Sequence, residues 1–122
     1  MIDLQKIGLQ ANFNQKYYDF YNSDKINDFV DYSKYFIRFI FDQELFENHF
    51  YGLKKRYSQY NFIPFARGSA DDIVVCFSVN DNLEKVYIIQ DFQGYENPVI
   101  NEFKNFIDFI DFIKSSNEFT RN

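Results

Sequence analysis

With one cysteine among 122 residues, the chain cannot close an intramolecular disulfide. Cys76 lies inside the apolar run Ile73-Val74-Val75-Cys76-Phe77. A buried, reduced thiol is therefore expected, and with it a cytoplasmic protein. The single histidine, His49, excludes multi-histidine metal sites and paired-histidine catalysis. Tryptophan is absent, and 4 glycines and 2 prolines leave few chain breakers. No glycine-rich phosphate loop, Gly-x-Ser-x-Gly turn or paired-cysteine zinc spacing occurs. No stretch approaches the roughly 20 apolar residues needed to span a bilayer. Nothing near Met1 has the basic head, apolar run and small-residue site of a secretory leader. These absences lead to an expectation of a non-catalytic protein with no cofactor, no metal and no membrane insertion.

What the chain has is aromatic mass and acid. Its 17 Phe and 10 Tyr can each bury roughly 150–250 Å², ample for one core in a chain of this length. A nucleotide-composition bias explains part of that excess, since Asn, Ile and Lys are also abundant; adhesive surface is the other explanation. Net charge is −5, unevenly spread. Residues 1–33 carry five acids and three bases, residues 34–67 three acids and six bases, and residues 68–122 ten acids and four bases. The acidic second half repels phosphate backbones, so nucleic-acid binding is not expected, whereas solubility or a basic protein partner is. The cluster Lys54-Lys55-Arg56 sits where a helix should end, a position that favours positive charge.

Periodicity gives one α+β domain, 1–122. Asn14 can cap a short helix from about Asn14 to Tyr21. Tyr35 to Phe41 reads as a strand with Arg38 as its lone charge. Asp42 is an N-cap for a helix from Gln43 to Tyr57, with Leu45, Phe46, His49, Phe50 and Leu53 at helical spacing. Phe62 to Arg67, Asp71 to Val79 and Lys85 to Phe92 read as consecutive antiparallel strands, separated by turns at Gly68-Ser69-Ala70 and Asn80-Asp81-Asn82. A closing helix is expected from roughly Glu102 to Ser115. Phe103, Phe106, Ile107, Phe109, Ile110 and Ile113 share one broad arc of it, with Phe112 on the polar border. A central, mostly antiparallel sheet of about four to six strands packed with three or four helices follows.

Chemistry-bearing candidates are few. His49, one turn from Leu45 and Leu53, reads as a core-edge histidine, and a Cys76–His49 pair would have to work inside an apolar strand where a thiol is inert. Asp71 and Asp72 are adjacent at a strand entry, so their carboxylates diverge if both are already in strand geometry. Solvated strand entry is the plain reading for them and partner contact the functional one. Asp108 and Asp111 share a helix face and read as solvated surface.

Taken as one pattern, Phe62-Ile63-Pro64-Phe65-Ala66, Gly68, Asp72-Ile73-Val74-Val75-Cys76-Phe77, Val86-Tyr87-Ile88-Ile89-Gln90-Asp91 and Glu102-Phe103-Lys104-Asn105-Phe106-Ile107 resemble the SUKH superfamily. Tyr17-Tyr18-Asp19-Phe20-Tyr21-Asn22 resembles that family's N-terminal helix, so the resemblance covers about 14–114. It departs where the family's usual Leu-Pro is Asn12-Phe13 and its Gly-Gly is Ser23-Asp24. The resemblance implies a single α+β domain and, for bacterial members, an immunity protein that binds and neutralises a polymorphic or contact-dependent toxin. It transfers no catalytic residues. A basic, nuclease-like toxin would meet the acidic half, and turns and strand ends are where charge is presented. Asp71, Asp72, Asp81, Glu84, Asp91, Tyr95 and Glu96 are the expected partner contacts. A regulatory adaptor of the same fold is the alternative, and a small enzyme the third reading. A homodimer through Tyr35 to Phe41 or through Phe112 is compatible with each.

Overall fold

The apolar segments in the middle of the chain form part of a five-stranded antiparallel sheet in the order β1-β2-β3-β4-β5. The structure, a computed structural model, describes residues 2–23, 37–68, 72–91 and 96–121. Helix α1 is Gln15–Tyr21, β1 Arg38–Phe39, α2 Gln43–Arg56, β2 Phe62–Arg67, β3 Ile73–Ser78, β4 Val86–Gln90, β5 Val99–Phe103 and α3 Phe106–Arg121. One domain of α+β class results. Tyr35 and Phe36, the start of the expected first strand, lie outside the described residues.

Local chemistry sets the helix starts. The Asn14 side chain accepts from the Tyr17 N–H, and the Asp42 side chain from the Leu45 N–H, so each helix opens with a donor satisfied. Glu44 in the first turn of α2 and Lys54, Lys55 and Arg56 in the last complement its dipole.

The central strand β3 is buried at all six positions, because both faces of the sheet are covered. On one face Val75 and Phe77 of β3 and Val86 and Ile88 of β4 meet Tyr17, Phe65, Phe106 and Phe109. On the other, Val74, Cys76 and Ile89 meet Phe62 and the end of α2 through Leu53 and Tyr57. Pro64 has no N–H to give to a ladder, yet stands in the strand between β1 and β3. A bulge accommodates it: register shifts between Pro64 and Ala66, and the Phe65 carbonyl accepts from the Ile40 N–H at 2.9 Å.

The C-terminal third differs from expectation. Glu102 and Phe103 end a fifth strand instead of starting a helix, and α3 begins at Phe106 and runs to Arg121, past Ser115. Asn105 marks the boundary, its side chain accepting from the Asp108 N–H at 2.9 Å. Phe106, Phe109, Ile110 and Ile113 face the core, while Ile107 is 41% exposed and leaves the expected apolar arc. The buried stripe follows i, i+3, i+4, i+7 and is narrower than the arc read from the sequence. Phe112 packs against Phe103 of β5, with ring centroids 5.0 Å apart.

The outer edge of β5 is closed chemically. The Gln90 N–H bonds to the Pro98 carbonyl, and with the bulge after Val99 this parity turns the backbone of Val99 and Glu102 away from β4. Both outward N–H groups are taken by side-chain amides, Asn97 Oδ1 for Val99 at 3.1 Å and Asn101 Oδ1 for Glu102 at 2.9 Å. A strand approaching this edge would have to displace them.

Tyr17 occupies the centre of the first core, wholly buried against Phe13, Phe65, Phe77 and Phe106. Its hydroxyl has no hydrogen-bond partner among the described residues. Burial pushes its pKa far up, so the phenol stays neutral. Deleting an unsatisfied buried hydroxyl removes a desolvation penalty without opening a cavity. Tyr17→Phe is expected to stabilise the fold by about 1 kcal/mol and raise Tm by about 3 °C in a thermal melt. A loss of stability would mean that the hydroxyl is satisfied in solution.

Candidate functional site

The acids expected to form a partner surface divide between the two ends of the β3–β4 pair. Asp72 precedes β3 and Asp91 follows β4 at one end; Asp81 and Glu84 belong to the connection at the other. Six residues of strand separate the ends by roughly 16–20 Å, so these side chains do not converge on one point. Glu96 is exposed in the segment before β5, where its carbonyl accepts from the Tyr60 hydroxyl at 3.2 Å. Asp71 and Tyr95 lie outside the described residues.

Asp91 is not a surface contact. The residue is 2% exposed and its carboxylate is gripped by the Arg56 guanidinium through two bonds, Nε to Oδ1 at 2.8 Å and a terminal nitrogen to Oδ2. Its backbone N–H donates to the Asp72 carbonyl at 2.6 Å, and Asp72 Oδ2 accepts from the Gln90 side chain at 2.9 Å. Being at a strand end suggested exposure for Asp91, but a bidentate pairing with a residue 35 positions away took it inside. Gly52 makes room for this. A Cβ there would stand 3.0 Å and 3.1 Å from the two terminal nitrogens of Arg56, which a guanidinium fixed by two bonds cannot easily yield. The helix-propensity cost of an interior glycine is accepted here because the guanidinium lies back over the helix.

His49, one turn before Leu53 on α2, is half-buried near this pair. Burial, then the Arg67 guanidinium of β2, push its pKa down; Arg56 on its own helix adds to this and Asp91 opposes it. The core-edge reading of His49 fits. Cys76 is wholly buried, and burial pushes its thiol pKa well up, so it presents no accessible thiolate. Among the described residues, no group of three His, Cys, Asp or Glu side chains converges as metal ligands would.

The other end is a built turn. After β3 the chain makes a 3-10 turn at Val79–Asp81, then passes through Asn82 and Leu83 with φ of 59° and 62°. A leucine in the left-handed region is strained by about 1 kcal/mol or more, and it persists only where the surroundings hold it. They do so from several sides. Leu83 is 2% exposed, its N–H donates to the Ser78 carbonyl at 2.9 Å, and its carbonyl accepts from the Asn14 side chain at 3.0 Å. Asp81 is clamped within the same turn: Oδ1 accepts from the N–H groups of Glu84 and Lys85 at 3.0 Å and 3.1 Å, and Oδ2 from the Tyr87 hydroxyl at 2.7 Å. Partial burial and this bond to Asp81 push the Tyr87 phenol up, so it remains a donor. The result is a fixed half-buried carboxylate beside the exposed Glu84. Sequence singled out both acids, but the strain at Leu83 and the Tyr87 clamp had no local signal.

Comparison of the chain with protein-family models, with curated proteins and with solved structures found no match. No helix among the described residues is long and apolar enough to cross a membrane.

Two outcomes follow from the ion pair and its neighbour. Arg56→Met leaves a buried carboxylate without its guanidinium, whereas Arg56 is itself 34% exposed and retains access to water. The substitution is expected to destabilise the fold by about 3 kcal/mol in chemical denaturation. For His49 the folded pKa lies below the unfolded value of about 6.5, so the unfolded chain binds the proton first. Its contribution to stability is fully present above pH ~6.5 and is lost as pH falls through the folded value. Denaturation midpoints at a series of pH values should therefore fall less between pH ~6.5 and ~5 in His49→Gln than in the parent chain.

Proposed function

We propose that the protein is a non-catalytic binding module of the bacterial immunity type, which neutralises a toxin domain by covering its active or substrate-binding surface in the cytoplasm. The observation that carries this reading is the pinned acidic turn between β3 and β4. The bonds that hold Leu83 in its left-handed conformation and the three hydrogen bonds to Asp81 fix the turn before any partner arrives, and such preorganisation lowers the entropic cost of association. The resemblance to the SUKH superfamily supports the same reading, as does the excess of ten acids over four bases in residues 68–122. An acidic surface accelerates encounter with a basic partner and disfavours nucleic acid. Glu84, exposed beside Asp81, and Glu96, exposed before β5, are the acids that such a partner reaches directly. Asp81 acts from within the turn.

The test is affinity isolation of the tagged full chain from its host, followed by affinity measurement with the recovered toxin domain. Glu84→Lys is expected to weaken that complex at least about ten-fold at low salt, mainly through slower association. Asp81→Asn should weaken it further, because it removes the charge and perturbs the turn. Unchanged affinity in both variants would overturn the assignment of this turn as the contact surface. Recovery of cytoplasmic regulators in place of a toxin would favour an adaptor.

A further inference from the structure

A separate cleft of about 210 Å³ opens where the N-terminal segment crosses the end of α2 and the start of β2. Ile7, Leu9, Phe50, Ile63 and Val79 line it with hydrocarbon, and Lys54, Ser58 and Asn61 supply the polar groups. Gly8, at φ 81°, forms part of the wall, and a Cβ there would meet no atom within 4 Å, so this side opens to solvent. The rim is rigid. Asn61, at φ 50°, donates its amide to Asn80 Oδ1 at 2.7 Å, while the Asn80 amide donates to the carbonyls of Gln59 and Tyr60.

Two features of this cleft are unspent. The cleft has room for several water molecules against a mainly apolar wall, and an apolar group would release them favourably. The Lys54 ammonium makes no ion pair or hydrogen bond among the described residues, its one contact being with the Phe50 ring at 6.0 Å. The Ser58 hydroxyl likewise has no partner among the described residues, and Lys54 and Ser58, both exposed, are residues of the cleft lining. One ammonium and one hydroxyl beside hydrocarbon suit a ligand with a single negative group and an apolar body. A cation is repelled by Lys54, and a polyanion finds one cation on a chain of net charge −5.

We infer that this cleft is a binding site for a small apolar monocarboxylate, whose hydrocarbon lies against Ile7, Leu9, Phe50 and Val79 and whose carboxylate accepts from Lys54 and Ser58. The site stands apart from the acidic turn and does not require the toxin-binding reading.

The experiment is a titration of the full chain with 3-phenylpropionate, followed by ¹H–¹⁵N correlation spectra, alongside 3-phenylpropionamide, which has nearly the same shape and no charge. Saturable shifts are expected at the amides of Gly8, Leu9, Asn61 and Val79 with the acid. The amide compound should bind about three- to five-fold more weakly, since the carboxylate pairs with an exposed ammonium and such a pair contributes up to about 1 kcal/mol. Lys54→Met keeps the stem and helix propensity while removing the charge, and should lose about three- to five-fold in affinity for the acid; Ser58→Ala should lose about three-fold. Both variants should keep the parent's spectral dispersion, with Tm lowered by no more than about 3 °C in Lys54→Met, whose charge complements the dipole of α2, and Val79→Phe, which fills the cleft, should abolish binding. The inference is overturned if acid and amide bind equally, if Lys54→Met binds like the parent, if the shifts map away from the cleft, or if no saturable shift develops at millimolar acid.

Discussion

The stack of Phe65 on Phe77, with ring centroids 4.4 Å apart, is the contact on which the rest of the fold is assembled. The two rings come from neighbouring strands, and the bulge at Pro64 sets the Phe65 ring beside its partner. Tyr17 of α1 meets both rings edge-on at 5.6 Å and 5.7 Å, and Phe106 of α3 meets them at 5.8 Å and 6.2 Å. Two helices from opposite ends of the chain are thus docked on one pair of rings. Each such side chain contributes roughly 1.5–3 kcal/mol by leaving water, and the geometry between rings adds to that. An aromatic-rich composition is in this way consumed mainly by the interior; the large exposed apolar residues among those described are Phe41, Tyr51, Ile100 and Ile107.

Burying β3 on both faces leaves little room for polar chemistry within the sheet and moves it to the margins. One margin carries the Arg56–Asp91 pair with His49 and Arg67 near it, and the other the strained turn holding Asp81. The first margin holds α2 to the far end of β4, with Gly52 providing the space. The second presents charge without yielding flexibility, since its acid is tied to Tyr87 and its leucine to the core. Between them, the end of α2 and the N-terminal segment form the cleft with Lys54 at its rim. Polar groups on this fold are therefore concentrated at its ends. At the edge of β5, Asn97 and Asn101 accept from the N–H groups of Val99 and Glu102.

Element type was legible wherever the determining interaction is local. The caps at Asn14 and Asp42, the short apolar runs from Phe62 to Ile89 and the turn at Asn80-Asp81-Asn82 involve neighbours a few residues apart. β5 escaped because Glu102 and Phe103 blend into the period of the helix that follows; Asn105, the cap of α3, was the one readable sign of the boundary. Ile107 was misassigned for a related reason, as a three-residue repeat of apolar pairs widens the apparent apolar face beyond the stripe that packing uses.

By itself the sequence determined the class of the fold, the starts of its first two main helices, the inertness of Cys76 and the acidity of its second half, because composition and short-range spacing are sufficient for each. Only tertiary structure decided that Asp91 is internal while Glu84 is exposed, that Leu83 is held in a left-handed conformation, and that Lys54 and Ser58 share a cleft with Ile7 and Leu9. Each of these depends on groups brought together from distant positions, as Arg56 and Asp91 are across 35 residues. Chain closure over such distances is set by the packing of the whole core, and no local pattern encodes which polar groups it will enclose.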